Sequence, residues 1–391
     1  MLRGQMMNRQ LMISGILKHA ADNHGGREIV SRLPDTGAIH RYGWKDCHAR
    51  AQRLANALTG PMKVKTGDRI STIAWNTHRH LELYYAVSGV GAVVHTVNPR
   101  LAPDQIAWML DHAKAKHVFF DVQFAPIIDA IAKKCKTVKR FVVLTDAAHA
   151  PKMATKVDAY EALIAAEEPH YDWPEFDENA AAGLCYTSGT TGDPKGALYS
   201  HRSTVLHAMA CLGQDVLGVG SRGTILPVVP MFHVNAWGVP YATAMGGGKL
   251  VMPGAQLDGK SLQELIDQEQ VTQVLGVPTV WLGLLQYLRE SGKRIDSVEN
   301  VLMGGSAMPE ALLRAYQDEY GVDMQQGWGM TEMSPLGTVG KLLPKHDKLS
   351  DDEKIKIKLK QGRLIYGVEM RAVDDDGNVL PRDGQSSGHI Q

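Results

Sequence analysis

The sequence predicts an α/β fold built on parallel sheets and divided into two packed subdomains. Three observations carry that expectation. Strand-like and helix-like segments take turns along most of the chain, which implies βαβ crossovers. Two such series stand on either side of a glycine-rich loop. The length of 391 residues also exceeds what one ordinary core encloses, so two or three packed units are expected.

In the first series, residues Trp44 to Leu58 place Ala51, Leu54, Ala55 and Leu58 at helical spacing. Lys65-Thr66-Gly67-Asp68 reads as a turn into the apolar run Arg69 to Ala74. Leu81 to Val90 reads as a helix, Ala92 to Thr96 as a strand, and Ala102 to Ala113 as a helix opened by Pro103. His117 to Phe120 and Arg140 to Leu144 read as further buried strands, and His78-Arg79-His80 as a solvent-facing helix start.

The second series runs through strands Thr224 to Val229 and Gly248 to Met252, a helix from Ser261 to Gln270, and strand Gln273 to Gly276. A helix from Pro278 to Ser291 and the strand Val298 to Met303 follow. Farther on, Ser350-Asp351-Asp352-Glu353 has the form of a capping box, whereas the following KIKIKLK has the period of a strand. The capping signal predicts a short helix ending at Gly362. From 361 to 391 short strands and turns are expected, with Asp376-Gly377-Asn378 turning between Val368–Val373 and Val379–Leu380. The predicted organisation is one large unit over 1–360 and the start of a β-rich subdomain over 361–391. Ser387 to Gln391 reads as the opening of another strand, as if the sequence stopped in mid-domain.

Composition bounds the function. A hydrophobic fraction of 44% and a charged fraction of 21% are those of a soluble globular protein. With 42 basic and 42 acidic residues, nothing favours a nucleic-acid or anionic-membrane surface. Cys47, Cys135, Cys185 and Cys211 lie far apart with no CxxC pair, which predicts reduced, buried thiols and a cytoplasmic protein. Polar Asn8, Arg9, Gln10 and Ser14 interrupt the N-terminal apolar residues, against a signal peptide. No stretch approaches the roughly 20 apolar residues of a membrane helix.

The chemistry is carried by Tyr186 to His201, YTSGTTGDPKGALYSH. Consecutive glycine, serine and threonine residues offer backbone N–H groups and hydroxyls to an anion with many oxygens, and Lys195 adds a cation. Thr187 supplies a hydroxyl that could face a metal. A Walker A loop is excluded because Pro194 stands where its second glycine belongs. Gly89-Val90-Gly91 and Gly327-Trp328-Gly329 lack the third glycine of a dinucleotide fingerprint. Gly304-Gly305-Ser306-Ala307-Met308 lacks the last glycine of a serine-hydrolase elbow. A flexible surface linker is the bland alternative, but linkers rarely join TSGTTG to a fixed PKG.

TSGTTGDPKG resembles the phosphate loop of the adenylate-forming enzymes, which include acyl-CoA synthetases, luciferases and peptide-synthetase adenylation domains. PMFHVNAWG (230–238), GGSAMP (304–309) and QGWGMTEMSP (326–335) follow in that family's order. The resemblance implies the family's large N-terminal domain, with two parallel-sheet subdomains, and a reaction in two steps. A carboxylic acid attacks the α-phosphate of ATP to give an acyl-adenylate and pyrophosphate; coenzyme A then displaces AMP to leave a thioester.

Position by position, the resemblance implies that Thr187 and Glu332 flank Mg²⁺ and that Thr331 touches the α-phosphate. Ser188, Gly189, Thr190, Thr191, Gly192 and Lys195 face the β- and γ-phosphates. Gly304, Gly305, Ser306 and Ala307 lie along adenine, with Gln326, Gly327 and Trp328 opposite. His233, Val234, Trp237, Gly304 and Pro335 fall in the acyl site. Thr187, Lys195, His233 and Glu332 are the candidate catalytic residues, with His233 orienting the carboxylate or phosphate and binding no metal. Magnesium suits one glutamate, since it takes one or two carboxylates and leaves the rest of its shell to phosphates and water.

Within the family, the motifs are most like bacterial medium- and long-chain fatty acyl-CoA ligases and, equally, methylmercaptopropionate ligases. An inward Trp237 would shorten or gate the acyl tunnel and favour short to medium acids. Such relatives commonly dimerise through N-terminal segments, so a homodimer is expected. The resemblance also implies a small mobile C-terminal domain, bearing a lysine, that this sequence does not contain.

Overall fold

The computed structural model describes residues 1–187 and 194–391. Two sheets organise them. The seven-stranded sheet runs, edge to edge, Val157–Ala159, Arg140–Val143, Ala115–Phe120, Arg69–Ile73, Val93–Thr96, Ala181–Thr187 and Lys195–Ser200. Every pair is parallel except the last, a hairpin that flanks the glycine-rich loop.

The nine-stranded sheet runs Arg363–Leu364, Leu336–Val339, Asp323–Gly329, Asn300–Met303, Gln273–Gly276, Thr224–Pro227, Lys249–Met252, Glu28–Arg32 and Ile39–Gly43. Its middle is parallel and its edges are antiparallel. From Thr224–Pro227 the chain turns first to one side, at Lys249–Met252, and then to the other, at Gln273–Gly276. Such a reversal opens a crevice at the carboxyl ends of the strands, where ligands of open α/β sheets bind.

Helices Ile13–His24, Trp44–Thr59, His78–Gly89, His201–Leu212 and Val239–Gly246 share one hydrophobic cluster with strands of both sheets. They form a middle layer that both sheets cover. Helices Gly259–Glu269, Pro278–Ser291 and Glu310–Tyr320 cover the outer face of the nine-stranded sheet. Pro103–His112 and Ala125–Ile131 cover that of the other. The sequence supplies the helix starts: Pro103 and Pro278 stand in the first helical turn, and the Asp258 side chain accepts from the Ser261 N–H.

The middle layer overturns one expectation. His78, Arg79 and His80 do not face solvent, because the whole helix His78–Gly89 is buried between the sheets. Arg79 and His80 find polar partners inside, whereas His78 Nδ1 has none among the described residues. Arg79 donates to Glu161 at 2.7 Å, to Asp35 at 3.2 Å and to the Leu144 carbonyl at 2.9 Å. The His80 ring sits between the Trp75 carbonyl and the Thr72 hydroxyl, and burial lowers its pKa to about 4, so it is neutral near pH 7. His78 stacks on His40 with ring centroids 4.1 Å apart.

Buried Glu82 lies in the same helix. It accepts from Arg50 at 2.7 Å, Tyr42 at 3.0 Å and Tyr160 at 2.5 Å. A charge this deep persists only when its oxygens are satisfied.

The capping box at Ser350 wins over the strand period of KIKIKLK. Ser350 and Glu353 exchange hydrogen bonds, and helix Asp351–Lys358 turns Ile355 into the core. The helix stops at Lys358, four residues short of the expected Gly362. That glycine serves another purpose. It has φ +92, and a Cβ there would lie 2.2 Å from the Val339 carbonyl carbon, so it lets the chain cross Leu336–Val339 closely before pairing with it.

Toward residue 391, Val373 bridges Val379 around a turn with Gly377 at φ +85. His389–Ile390 pairs antiparallel with Ala372–Val373, which places a strand where the sequence suggested one. All four cysteines are free and buried. Burial pushes Cys135 and Cys185 up to about 11 and Cys211 to about 12. No described helix is long and apolar enough to cross a membrane.

Candidate active site

Four segments meet at the carboxyl ends of the strands. The first is the hairpin Ala181–Thr187/Lys195–Ser200, in which Thr187 pairs with Lys195 and its hydroxyl lies 3.4 Å from the Lys195 carbonyl. Ser188, Gly189, Thr190, Thr191 and Gly192, between the two strands, lie outside the described residues. Strand Ala181–Thr187 packs against the short turn Thr331–Met333 of the second sheet's unit, which carries exposed Glu332.

The second segment follows Thr224–Pro227. Val234, Asn235, Ala236, Trp237 and Gly238 all have positive φ, between 42° and 71°, and form one left-handed turn. Only the glycine adopts that conformation freely; each of the others costs on the order of 1 kcal/mol. The surroundings hold it. Buried Asn76 donates through Nδ2 to the Pro227 and Val229 carbonyls, both at 2.9 Å, and its Oδ1 accepts from the Met231 N–H at 2.6 Å. The Tyr84 hydroxyl lies against the Met231 carbonyl and 3.2 Å from Asn235 Oδ1, which also accepts from Cys185 Sγ at 3.4 Å. At the far end, Gly238 meets the His207 ring, and a Cβ there would stand 2.6 Å from His207 Nδ1. His207 Nε2 accepts from the Leu336 N–H, and burial lowers its pKa to about 4, which keeps it a neutral acceptor.

The third segment leaves strand Asn300–Met303 as Gly304-Gly305-Ser306-Ala307. A Cβ at Gly304 would lie 2.8 Å from the Trp237 indole, so glycine here is what lets the indole close over the loop. The fourth leaves strand Asp323–Gly329. A Cβ on Gly329 would fall 2.1 Å from the Pro335 carbonyl, where the chain folds back on itself.

The second, third and fourth segments enclose a cavity of about 240 Å³. His233, Val234, Trp237, Gly304, Gly305, Gly327, Trp328, Thr331 and Pro335 line it, all named from the sequence. Leu302, Gly329, Met330 and Leu336 line it too and were not singled out. Half-buried Trp328 is therefore a cavity wall and not a core residue.

Other expected residues stand outside. Thr187, Lys195 and Glu332 lie beyond the lining. Ser306 and Ala307 are exposed on their turn. Gln326 is buried, and its amide joins the turn to the strand by donating to the Ser306 and Gly327 carbonyls and accepting from the Met308 N–H. Ser306 has no histidine partner among the described residues.

His233 opens to water at the cleft, yet the protein packed around it lowers its pKa, so its neutral form dominates near pH 7. No described residue hydrogen-bonds its ring. Among the described residues no three His, Cys, Asp or Glu side chains cluster as a metal cage. Magnesium needs no such cage, since it takes one or two carboxylates and completes its shell from phosphates and water, and exposed Glu332 is a carboxylate that suits it.

The family description "AMP-binding enzyme" matches residues 17–390. The chain belongs to the AMP-binding enzymes. Its relatives within them include acyl-CoA ligases. It is 50% identical over 388 residues to a medium-chain-fatty-acid–CoA ligase of Ectopseudomonas oleovorans, covering 99% of this chain and 71% of that protein. It is 47% identical to a 3-methylmercaptopropionyl-CoA ligase of Ruegeria lacuscaerulensis, covering 99% of this chain and 72% of the relative. The fold matches that of a long-chain-fatty-acid-CoA ligase from Archaeoglobus fulgidus with a TM-score of 0.84 at 19% identity, over 100% of this chain and 76% of the other. The AMP-binding assignment thus rests on nearly the whole chain, and the cavity sits where its family motifs meet.

Proposed function

We propose that this cavity holds the acyl-adenylate of an ATP-dependent acid–CoA ligase acting on short- to medium-chain acids. The observation that carries the reading is the shared wall. Residues assigned to the nucleotide (Gly304, Gly305, Gly327, Trp328, Thr331) and to the acid (His233, Val234, Trp237, Pro335) line one cavity. A mixed anhydride of acid and AMP needs that continuity, because its two halves are covalently joined.

In this reading Trp328 offers an aromatic face to adenine, and Gly304 and Gly305 let the base approach the backbone. Thr331 donates to the α-phosphate. Neutral His233 orients the carboxylate for attack without adding a cation that would trap it. Lys195 and residues 188–192 hold the β- and γ-phosphates, while Thr187 and Glu332 would hold Mg²⁺. The metal would offset charge on the phosphoryl oxygens as pyrophosphate leaves. The chain's own groups fix the angle at which acid and α-phosphate meet, which lowers the barrier by orientation. Coenzyme A then takes the acyl group and releases AMP.

Acid length follows from Trp237. Its indole closes over Gly304 and forms part of the cavity wall on the side assigned to the acid. The names of two relatives, a medium-chain-fatty-acid–CoA ligase and a 3-methylmercaptopropionyl-CoA ligase, support that reading. Acids from propionate to palmitate, compared by kcat/KM, should show an optimum in the short to medium range. Trp237→Ala should move it toward longer acids. A clear optimum at palmitate in the parent protein would defeat the proposal.

A further inference from the structure

The strand that leaves the phosphate loop, Lys195–Ser200, also reaches the other half of the site. Its Tyr199, 5% exposed, pairs with Gly183 in the hairpin, and its ring lies over that glycine, where a Cβ would stand 3.6 Å away. The phenol donates to the Thr331 carbonyl at 2.6 Å, across 132 positions of sequence and from one sheet's unit to the other's. Burial, then Cys185, then the Glu332 carboxylate raise its pKa, so it stays a protonated donor and Glu332 is close enough to act on it. Thr331 itself is 9% exposed, so its carbonyl has little water to turn to.

We infer that Tyr199 is a positioning residue: its O–H···O=C bond sets the Thr331–Glu332 turn at a fixed height against the phosphate-loop hairpin. Without it, Thr331 and Glu332 hang on their own strand, and the distance from them to Lys195 and Thr187 is free to vary. A triphosphate and its metal bridge those groups, so the bond matters to ATP·Mg²⁺ far more than to the acid. The inference rests on the reading of Thr331 and Glu332 as phosphate and Mg²⁺ contacts.

Tyr199→Phe removes one oxygen and keeps the ring over Gly183. Tyr160→Phe is the control, since it also deletes a buried hydroxyl, here bonded to Glu82 away from the cavity. ATP affinity, its Mg²⁺ midpoint and Tm are measured for the parent protein and both variants. The expected result is that Tyr199→Phe weakens ATP·Mg²⁺ roughly five- to tenfold and raises the Mg²⁺ midpoint, the scale of one buried hydrogen bond. Tyr160→Phe should lower Tm alone. Equal ATP affinity in the parent and Tyr199→Phe overturns the inference, as does an equal loss in both variants. A parent protein that binds no ATP·Mg²⁺ overturns the phosphate-site reading beneath it.

Discussion

Replacing Glu332 with glutamine is expected to slow acid-dependent ATP–pyrophosphate exchange by about a hundredfold or more, with little change in Tm. The substitution keeps the side chain's length and removes its charge. Glu332 is exposed and pairs with no cation among the described residues, so the fold loses nothing that charge supplied. The adenylation step does lose something. In the proposed reading this carboxylate would hold Mg²⁺, which would offset charge on the departing pyrophosphate, and a neutral amide is a poor magnesium ligand. Extra Mg²⁺ should recover part of the rate, which separates a metal defect from a collapsed site. A Glu332→Gln protein within about twofold of the parent at ordinary Mg²⁺ would show that the carboxylate has no part in the reaction.

Asn76→Asp should produce the largest combined loss of stability and acid binding. The side chain is 3% exposed and spends both donors on the Pro227 and Val229 carbonyls while its oxygen accepts from the Met231 N–H. Its backbone carbonyl also accepts from the Gly254 N–H at 3.1 Å. Aspartate has the same shape, but one oxygen would face two carbonyl oxygens. Each buried polar group so stranded costs about 1–3 kcal/mol, and repulsion adds to it. The loop being held carries five residues in left-handed geometry, and its strain is tolerable only while its start is pinned. Tm should fall, and affinity for the acid should weaken more than that for ATP, because His233 and Trp237 ride on the loop. Unchanged melting and unchanged acid binding in Asn76→Asp would refute the clamp.

Sequence reading found the parts of the site that are contiguous. Glycine pairs announce backbone that approaches a ligand, and three motifs, at 230–238, 304–309 and 326–335, led directly to nine cavity-lining residues. What holds those residues in place was not legible. Asn76 looks like any asparagine at a strand-to-helix turn, and Tyr199 meets Thr331 only after both sheets have formed. The left-handed turn at 234–238 carries a single glycine, so nothing local signals it. Polarity misled at His78-Arg79-His80 because Glu161, Asp35 and Leu144 take up Arg79, Trp75 and Thr72 take up the His80 ring, and the His78 ring stacks on His40. Gly362 was a turn signal with the wrong meaning: it serves a close crossing of Val339, several residues after the helix has ended.

The central claim is that nucleotide and acid occupy one continuous cavity at the carboxyl ends of the nine-stranded sheet. Calorimetric titration with a non-hydrolysable acyl-adenylate mimic tests it most directly, with AMP and the free acid titrated alongside. The account predicts that the mimic binds at least about a hundredfold more tightly than either half alone, because one molecule makes both sets of contacts. A mimic that binds no better than AMP would mean that the acyl group finds no place beside the nucleotide.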